Sequence, residues 1–297
     1  MKKIGILFLC FVLIFTLTAC QKAPATEAVS TENSSAETEV IATESATEAV
    51  QTAVVTFKDE GLEKYIRENL QKPSGDILVS DMETLSSIDL RDNIAYDLSG
   101  LEYAKNIYSA TISDCTVKSI TPLAKIEGLP YLNIAYSVVE EVPDRVNWKA
   151  MHTFSVIDSS IPNINFLSSV TSLNSFTHVS SKLSSLEPIV NNRDLASVDF
   201  SSSLVKDISP LKGMDKIDYL DFAQSQVASL ETLETLTNLS VIDLSYNKIT
   251  NLEPLLKLTN LTAITAWDDP DKNKWLLDRT QLKTLEGKGI EVEYYGK

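Results

Sequence analysis

Asp199, Asp221 and Asp243 stand 22 residues apart, a spacing that has no meaning inside one helix or one strand. It sets three carboxylates edge to edge only if the chain repeats with that period. Their chemistry would then be attraction of a cationic ligand, or mutual repulsion screened by water and salt. Other chemical candidates are few. His152 and His178 are the only imidazoles, and Cys10, Cys20 and Cys115 form neither a Cys-x-x-Cys pair nor a zinc spacing. The segment "DDPDKN" (Asp268 to Asn273) has the carboxylates of a calcium loop but lacks the Gly and the closing Glu of an EF-hand, so it reads as a capping turn. There is no Gly-rich phosphate loop. Without a nucleophile, base and orienting group held together, the expectation is a protein that is not an enzyme and has no cofactor or metal.

The elements that would position the carboxylates follow from the period. One apolar column steps by 22 residues from Leu85 to Leu261, and a second, three residues on, runs from Ile88 to Ile264. The third is Leu90, Ile112, Ile134, Val156, His178, Phe200, Phe222, Leu244 and Ala266; a fourth runs from Ile120 through Val142 to Leu252. The unit L-x-x-L-x-L ends in alternation, which suits a strand with one face on a core. A polar column follows: Asn93, Cys115, Ser137, Ser159, Ser181, Ser203, Ser225, Asn247 and Asp269. There an inward amide or hydroxyl can satisfy the backbone of a turn, and Ser offers fewer bonds than Asn, so the middle of this ladder is expected to be weaker than its ends. Beyond the turn, apolar residues three apart suit 3₁₀ turns, and Pro122, Pro188, Pro210 and Pro254 share the phase of a helical start. No unit can bury its apolar face alone, so the units must stack into a solenoid with a parallel sheet on one side.

The segment "LTNLSVIDLSYNKITNLEPLLK" resembles the leucine-rich repeats of bacterial internalins, and the resemblance covers Leu85 to Trp267, nine units in all. It implies a leucine-rich repeat solenoid with the sheet on the concave face, 3₁₀ or irregular turns on the convex face, a helical N-terminal cap and a small C-terminal cap. Two departures are visible: Arg145 and Asn192 occupy normally apolar places. A local bulge or register shift is therefore expected in "VPDRVNW", Val142 to Trp148.

Residues 1–19 have two Lys and then an apolar run too short for a typical membrane span, the layout of an export signal. Leu17-Thr18-Ala19-Cys20 resembles the lipobox of bacterial lipoproteins, which implies a diacylglyceryl group on Cys20; an ordinary export signal is the alternative. Residues 20–53 are Ala, Thr, Ser and Glu with no aromatics, and read as an acidic, unfolded tether. Gln21 leaves both bacterial envelope types open, and the long tether favours a Gram-positive outer surface. Residues 54–84 read as an N-terminal cap, with Asp59 capping a helix whose stripe is Leu62, Ile66 and Leu70. Residues 85–268 are the repeats. Residues 269–297 read as a C-terminal cap, a helix ending at Gly287 and a last strand carrying Ile290, Val292 and Tyr294.

Recognition is what remains. Nine rungs about 4.8 Å apart give a face roughly 40 Å long. Its middle column is Asp89, Thr111, Asn133, Ser155, Thr177, Asp199, Asp221, Asp243 and Thr265, flanked by Tyr131, Tyr136, Tyr219, Tyr246 and Trp267. Exposed aromatics on a rigid sheet are common binding anchors. His178 falls among core positions, as a hydrogen-bonded structural residue or a pH-sensitive one. The net charge of −15 argues against nucleic acid and against anionic lipid as a docking surface. The reading is a lipid-anchored cell-surface protein whose concave face binds another protein, with a glycan or cell-wall ligand, or a scaffolding role in an envelope complex, as alternatives.

Overall fold

The computed structural model describes residues 52–91, 94–268 and 277–294. The expected export signal, Cys20, nearly all of the expected tether, Asn93, and residues 269–273 of the expected capping turn lie outside the described residues.

The chain enters through helix α1 (Glu60–Asn69). Asp59 caps it, its carboxylate accepting from Leu62 N at 2.8 Å, while Glu60 and Glu63 sit in the first turn, where the helix dipole favours them. Leu62 and Ile66 are fully buried and Leu70 packs beside them, so this helix covers the first rung. A single turn, α2 (Val79–Met82), completes the cap. Gly100 is required by its surroundings: φ is 107°, and a Cβ there would lie 2.8 Å from the Phe57 ring that bridges cap and repeats.

The strands, in chain order, are β1 (Ser87–Leu90), β2 (Ala95–Tyr96), β3 (Ser109–Ser113), β4 (Thr116–Ser119), β5 (Tyr131–Ala135), β6 (Val138–Glu141), β7 (Thr153–Ile157), β8 (Ser175–Val179), β9 (Ser197–Asp199), β10 (Tyr219–Asp221), β11 (Val241–Asp243), β12 (Ala263–Thr265) and β13 (Glu291–Glu293). Ten of them form one parallel sheet, ordered β1-β3-β5-β7-β8-β9-β10-β11-β12-β13. The pairing is the 22-residue period itself: Ile88 lies opposite Ala110, Leu132 opposite Phe154, and Leu220 opposite Val198 and Ile242. Helix α4 (Arg279–Gly287), capped by Asp278, leads into β13, which pairs Val292 with Ile264 and closes the last rung. A single α turn, α3 (Thr121–Ala124), lies between β4 and β5 and carries Pro122 in its first turn.

The core is a stack of equivalent side chains. Every residue of the second and third apolar columns is at most 3% exposed, His178 included. In the middle of the stack the rungs are filled by rings: Phe154 lies 5.8 Å from Phe166, 6.5 Å from Phe176 and 6.4 Å from Trp148, centroid to centroid. Phe200 and Phe222 stack at 5.7 Å. Such offset and edge contacts add to the burial of large apolar surface.

After β3, β5, β7, β8, β9, β10 and β11 the chain turns through one left-handed residue: Asp114, Tyr136, Asp158, Ser180, Ser202, Gln224 and Tyr246, with φ between 44° and 56°. None is Gly, so each turn holds a mild strain that its neighbours must sustain. The polar column does so. Ser137 Oγ accepts from Cys115 N at 3.1 Å, and Ser159 Oγ accepts from Ser137 N at 3.0 Å, each bond joining adjacent rungs. Asn247 accepts from Val227 N and donates through Nδ2 to Phe222 O, Leu244 O and Ser245 O, more than any serine of the column achieves.

Apart from the α turn Thr121–Ala124, the helical return segments are 3₁₀ turns, as their spacing predicts, with Pro188, Pro210 and Pro254 in their first turns. The unit from Val142 to Trp148 differs as expected. It has no helical turn; Arg145 points to solvent, Val146 takes the buried place, and Trp148 reaches inward to donate from Nε1 to Leu123 O at 3.0 Å. Asn192 is tolerated at full burial because Oδ1 accepts from Leu173 N and Nδ2 donates to Ile189 O. One feature departs from the simple unit. Past the turn, the first rungs carry a second parallel sheet, β2-β4-β6, extended by a bridge between Val138 and Ser160. Its inward residues, Tyr96, Val117 and Val139, are buried.

Candidate functional site

Parallel, in-register pairing decides what the outward side chains can do. Asp199, Asp221 and Asp243 lie on β9, β10 and β11, paired Cα to Cα. Each carboxylate accepts from the backbone N–H two residues on, Ser201, Ala223 and Ser245 respectively, at 2.9 Å. Those bonds favour the charged form, but burial outweighs them. Asp199 and Asp243 are pushed above the usual carboxylate range by burial, and Asp221 rises to about 7 through burial and the charge of Asp199. Tyr219 lies beside them on β10 and donates to Asp221 Oδ2 at 3.4 Å. Burial and the three surrounding carboxylates hold its hydroxyl protonated, so it serves as a donor.

The eight concave-face candidates fall into two groups. Asp199, Tyr219, Asp221, Asp243, Tyr246 and Trp267 come together on neighbouring rungs at the C-terminal end; Tyr246 donates its N–H to Trp267 O at 2.7 Å, and its ring is 45% exposed. Tyr131 and Tyr136 lie on and just past β5, rungs away, at 43% and 60% exposure. The C-terminal group also gains a member that period-based reading misses. Glu293 on β13 pairs with Thr265 and extends the acidic column, raising the Asp243 carboxyl further by its charge. The signal was available in the alternation of Ile290, Val292 and Tyr294, which turns Glu291 and Glu293 to the other face.

His178 is a buried, neutral residue of the core column. Its Nδ1 lies 2.7 Å from Ser181 Oγ, and burial lowers its pKa to about 4. It borders a polar cleft of about 490 Å³ at the turn edge, with Asp158, Ser160, Lys182 and Ser202. A second hollow of about 500 Å³ beside α1 is walled by side chains such as Arg67 and Glu63, which pair with each other, and it is remote from the carboxylates. Among the described residues no group of three or more His, Cys, Asp or Glu side chains could hold a metal. Asp268, the one described residue of the calcium-like segment, is buried and accepts from Leu277 N at 3.5 Å.

No protein-family model matches the sequence, and no curated protein does. Solved structures do. An internalin (InlF) from Listeria monocytogenes superposes with a TM-score of 0.59 at 21% identity, over 81% of this chain and 76% of that one. Internalin C2 from the same species gives 0.61 at 18% identity, over 73% and 99%. This is a leucine-rich repeat fold. A leucine-rich repeat protein of Leptospira interrogans gives 0.62 at 15% identity, over 72% of this chain and 56% of that one.

Proposed function

We propose that the C-terminal half of the concave face binds a cationic segment of another protein, and that the chain acts by binding and not by catalysis. The observation that carries this reading is the in-register column Asp199, Asp221 and Asp243, whose ionisation is opposed by burial and by its own members. A lysine or arginine laid along the column would reverse that opposition, with Tyr219, Tyr246 and Trp267 supplying apolar contact beside it. Repulsion among the carboxylates is present before binding, so part of the affinity comes from its relief.

The test is capture from surface extracts of intact cells with the full chain as bait. A captured protein is expected to bind more weakly as salt rises. Its affinity should fall by about tenfold or more both in the Asp199→Asn, Asp221→Asn, Asp243→Asn triple variant and in the Tyr219→Ala, Tyr246→Ala, Trp267→Ala triple variant. Binding that ignores both sets of substitutions and the salt would move the interface to the edges or the convex side.

We further infer that the protein works on the outer side of a bacterial, most simply Gram-positive, membrane, held through Cys20 and the acidic tether. The support is sequence alone: Lys2-Lys3, the apolar run and Leu17-Thr18-Ala19-Cys20. Two acyl chains on one residue anchor stably where a single chain does not. Cys20→Ser is expected to shift the protein from the membrane fraction to the soluble fraction or medium. Unchanged fractionation would remove the lipid anchor from this account.

A further inference from the structure

The N-terminal half of the same face has a different chemistry. The outward strand positions of β3, β5, β7 and β8 contain no Asp, Glu, Lys or Arg, in a chain that is 23% charged. Charges resume at the turn corners, Asp114 and Asp158, and at Asp199 on β9. Within this neutral field the middle column is Thr111, Asn133, Ser155 and Thr177, aligned rung to rung. All four are half-buried, and none of their side chains has a protein hydrogen-bond partner among the described residues. This contrasts with the aspartates of the other half, each engaged by a backbone N–H. Four neighbouring strands about 4.8 Å apart place the free hydroxyls and amide along roughly 15 Å.

Aromatic rings border this column on one side. Tyr131 on β5 is 43% exposed, Tyr108 just before β3 is 58% exposed, and the exposed His152 just before β7 lies 5.8 Å from Tyr131, ring to ring, at 45°. In register Tyr131 lies opposite Ser109 and Thr153, the residues that follow Tyr108 and His152 on the neighbouring rungs. Rings that could have been buried in an apolar core are here held in water on a rigid sheet.

We propose that this half binds a neutral oligosaccharide lying across the strands, its apolar ring faces on Tyr131, Tyr108 and His152 and its hydroxyls on Thr111, Asn133, Ser155 and Thr177. The match is one of chemistry: a sugar chain offers a C–H face for stacking on the aromatic edge and a row of donors and acceptors for the column. An uncharged ligand meets no unpaired charge there, whereas an ionic one would lose hydration with nothing to replace it. This inference does not depend on the acidic half.

The experiment is calorimetric titration of the full chain with oligomers of glucose and of N-acetylglucosamine. One of the two is expected to bind, with an affinity that added salt leaves unchanged. Tyr131→Ala and Asn133→Ala should each weaken it by about tenfold or more, Tyr131→Phe should retain most of it, and Lys206→Ala, outside the concave columns, should not alter it. All these positions are solvent-accessible, and unchanged circular dichroism would confirm that the variants fold. The proposal is overturned if neither sugar binds up to millimolar concentration, if binding survives Tyr131→Ala and Asn133→Ala together, or if an uncharged Ser/Thr-rich peptide binds there and the sugars do not.

Discussion

Phe154→Ala is expected to cost about 3–5 kcal/mol of stability, the range for deleting a fully buried aromatic ring. Phe154 has no exposed surface, and it is the ring at which Trp148, Phe166 and Phe176 meet. Little can close the space it leaves. Its neighbours are fixed by strand register above and below, and Trp148 is further tied to Leu123 O. A solenoid transmits this loss only to adjacent rungs, since each unit contacts its neighbours and no others. Urea denaturation should therefore show the loss, while hydrogen exchange should show β5, β7 and β8 opening first and β11 and β12 remaining protected. A loss below about 1 kcal/mol, or uniform deprotection along the sheet, would contradict the stacked-rung core.

Asp221→Asn is expected to stabilise the protein at neutral and alkaline pH. The folded-state pKa is raised from 3.8 to about 7, so the folded protein holds a proton on this carboxyl in a window where the unfolded chain has released it. Stability from this group is present below pH 3.8 and is lost as pH climbs through about 7. Above that pH the carboxylate lowers stability by about 2–4 kcal/mol, allowing for water reaching a half-exposed site. His178 has the opposite sign. Its folded pKa is lowered from 6.5 to about 4, so its contribution is present above pH 6.5 and is lost as pH falls through about 4. In the native protein the two slopes offset one another across the shared window. Removing Asp221 should uncover the histidine slope: the variant unfolds at higher urea than wild type at pH 8, and the advantage shrinks toward pH 4 as its own stability declines. Equal midpoints at pH 8 would mean that the column is not crowded enough to oppose its own ionisation.

The repeat was legible in the sequence because a solenoid translates period into contact. A residue and its partner 22 positions on are neighbours, so aligning columns was equivalent to listing core contacts, and Arg145 showed where a rung had to shift. The same logic failed where the period broke. Thr265 pairs with Glu293 across a 28-residue step, and no column of the repeat could reach it. The sheet β2-β4-β6 was also missed, because strands as short as "AY" and "TVKS" leave no alternation longer than one cycle. Residues 121–124 illustrate a further limit: the Pro phase marks a helical start but does not distinguish one α turn from a 3₁₀ turn. For the candidate binding face, spacing identified which carboxylates would be adjacent. It could not show how far each ring is exposed, Tyr131 and Tyr136 more than Tyr219, because exposure depends on what each ring finds beside it.

The two-sided bonding of the first rungs has a mechanical corollary. Where β1, β3 and β5 are matched past the turn by β2, β4 and β6, neither edge of a rung can spread without breaking a hydrogen-bonded strand pair. From β8 onward the rungs past the turn are joined by single backbone bonds instead of strand pairs, Leu204 N to Leu183 O, Gln226 N to Val205 O and Lys248 N to Val227 O. The rungs under the aspartates thus lack the second set of strand pairs, and hydrogen exchange past the turn is expected to be faster there than at β2, β4 and β6.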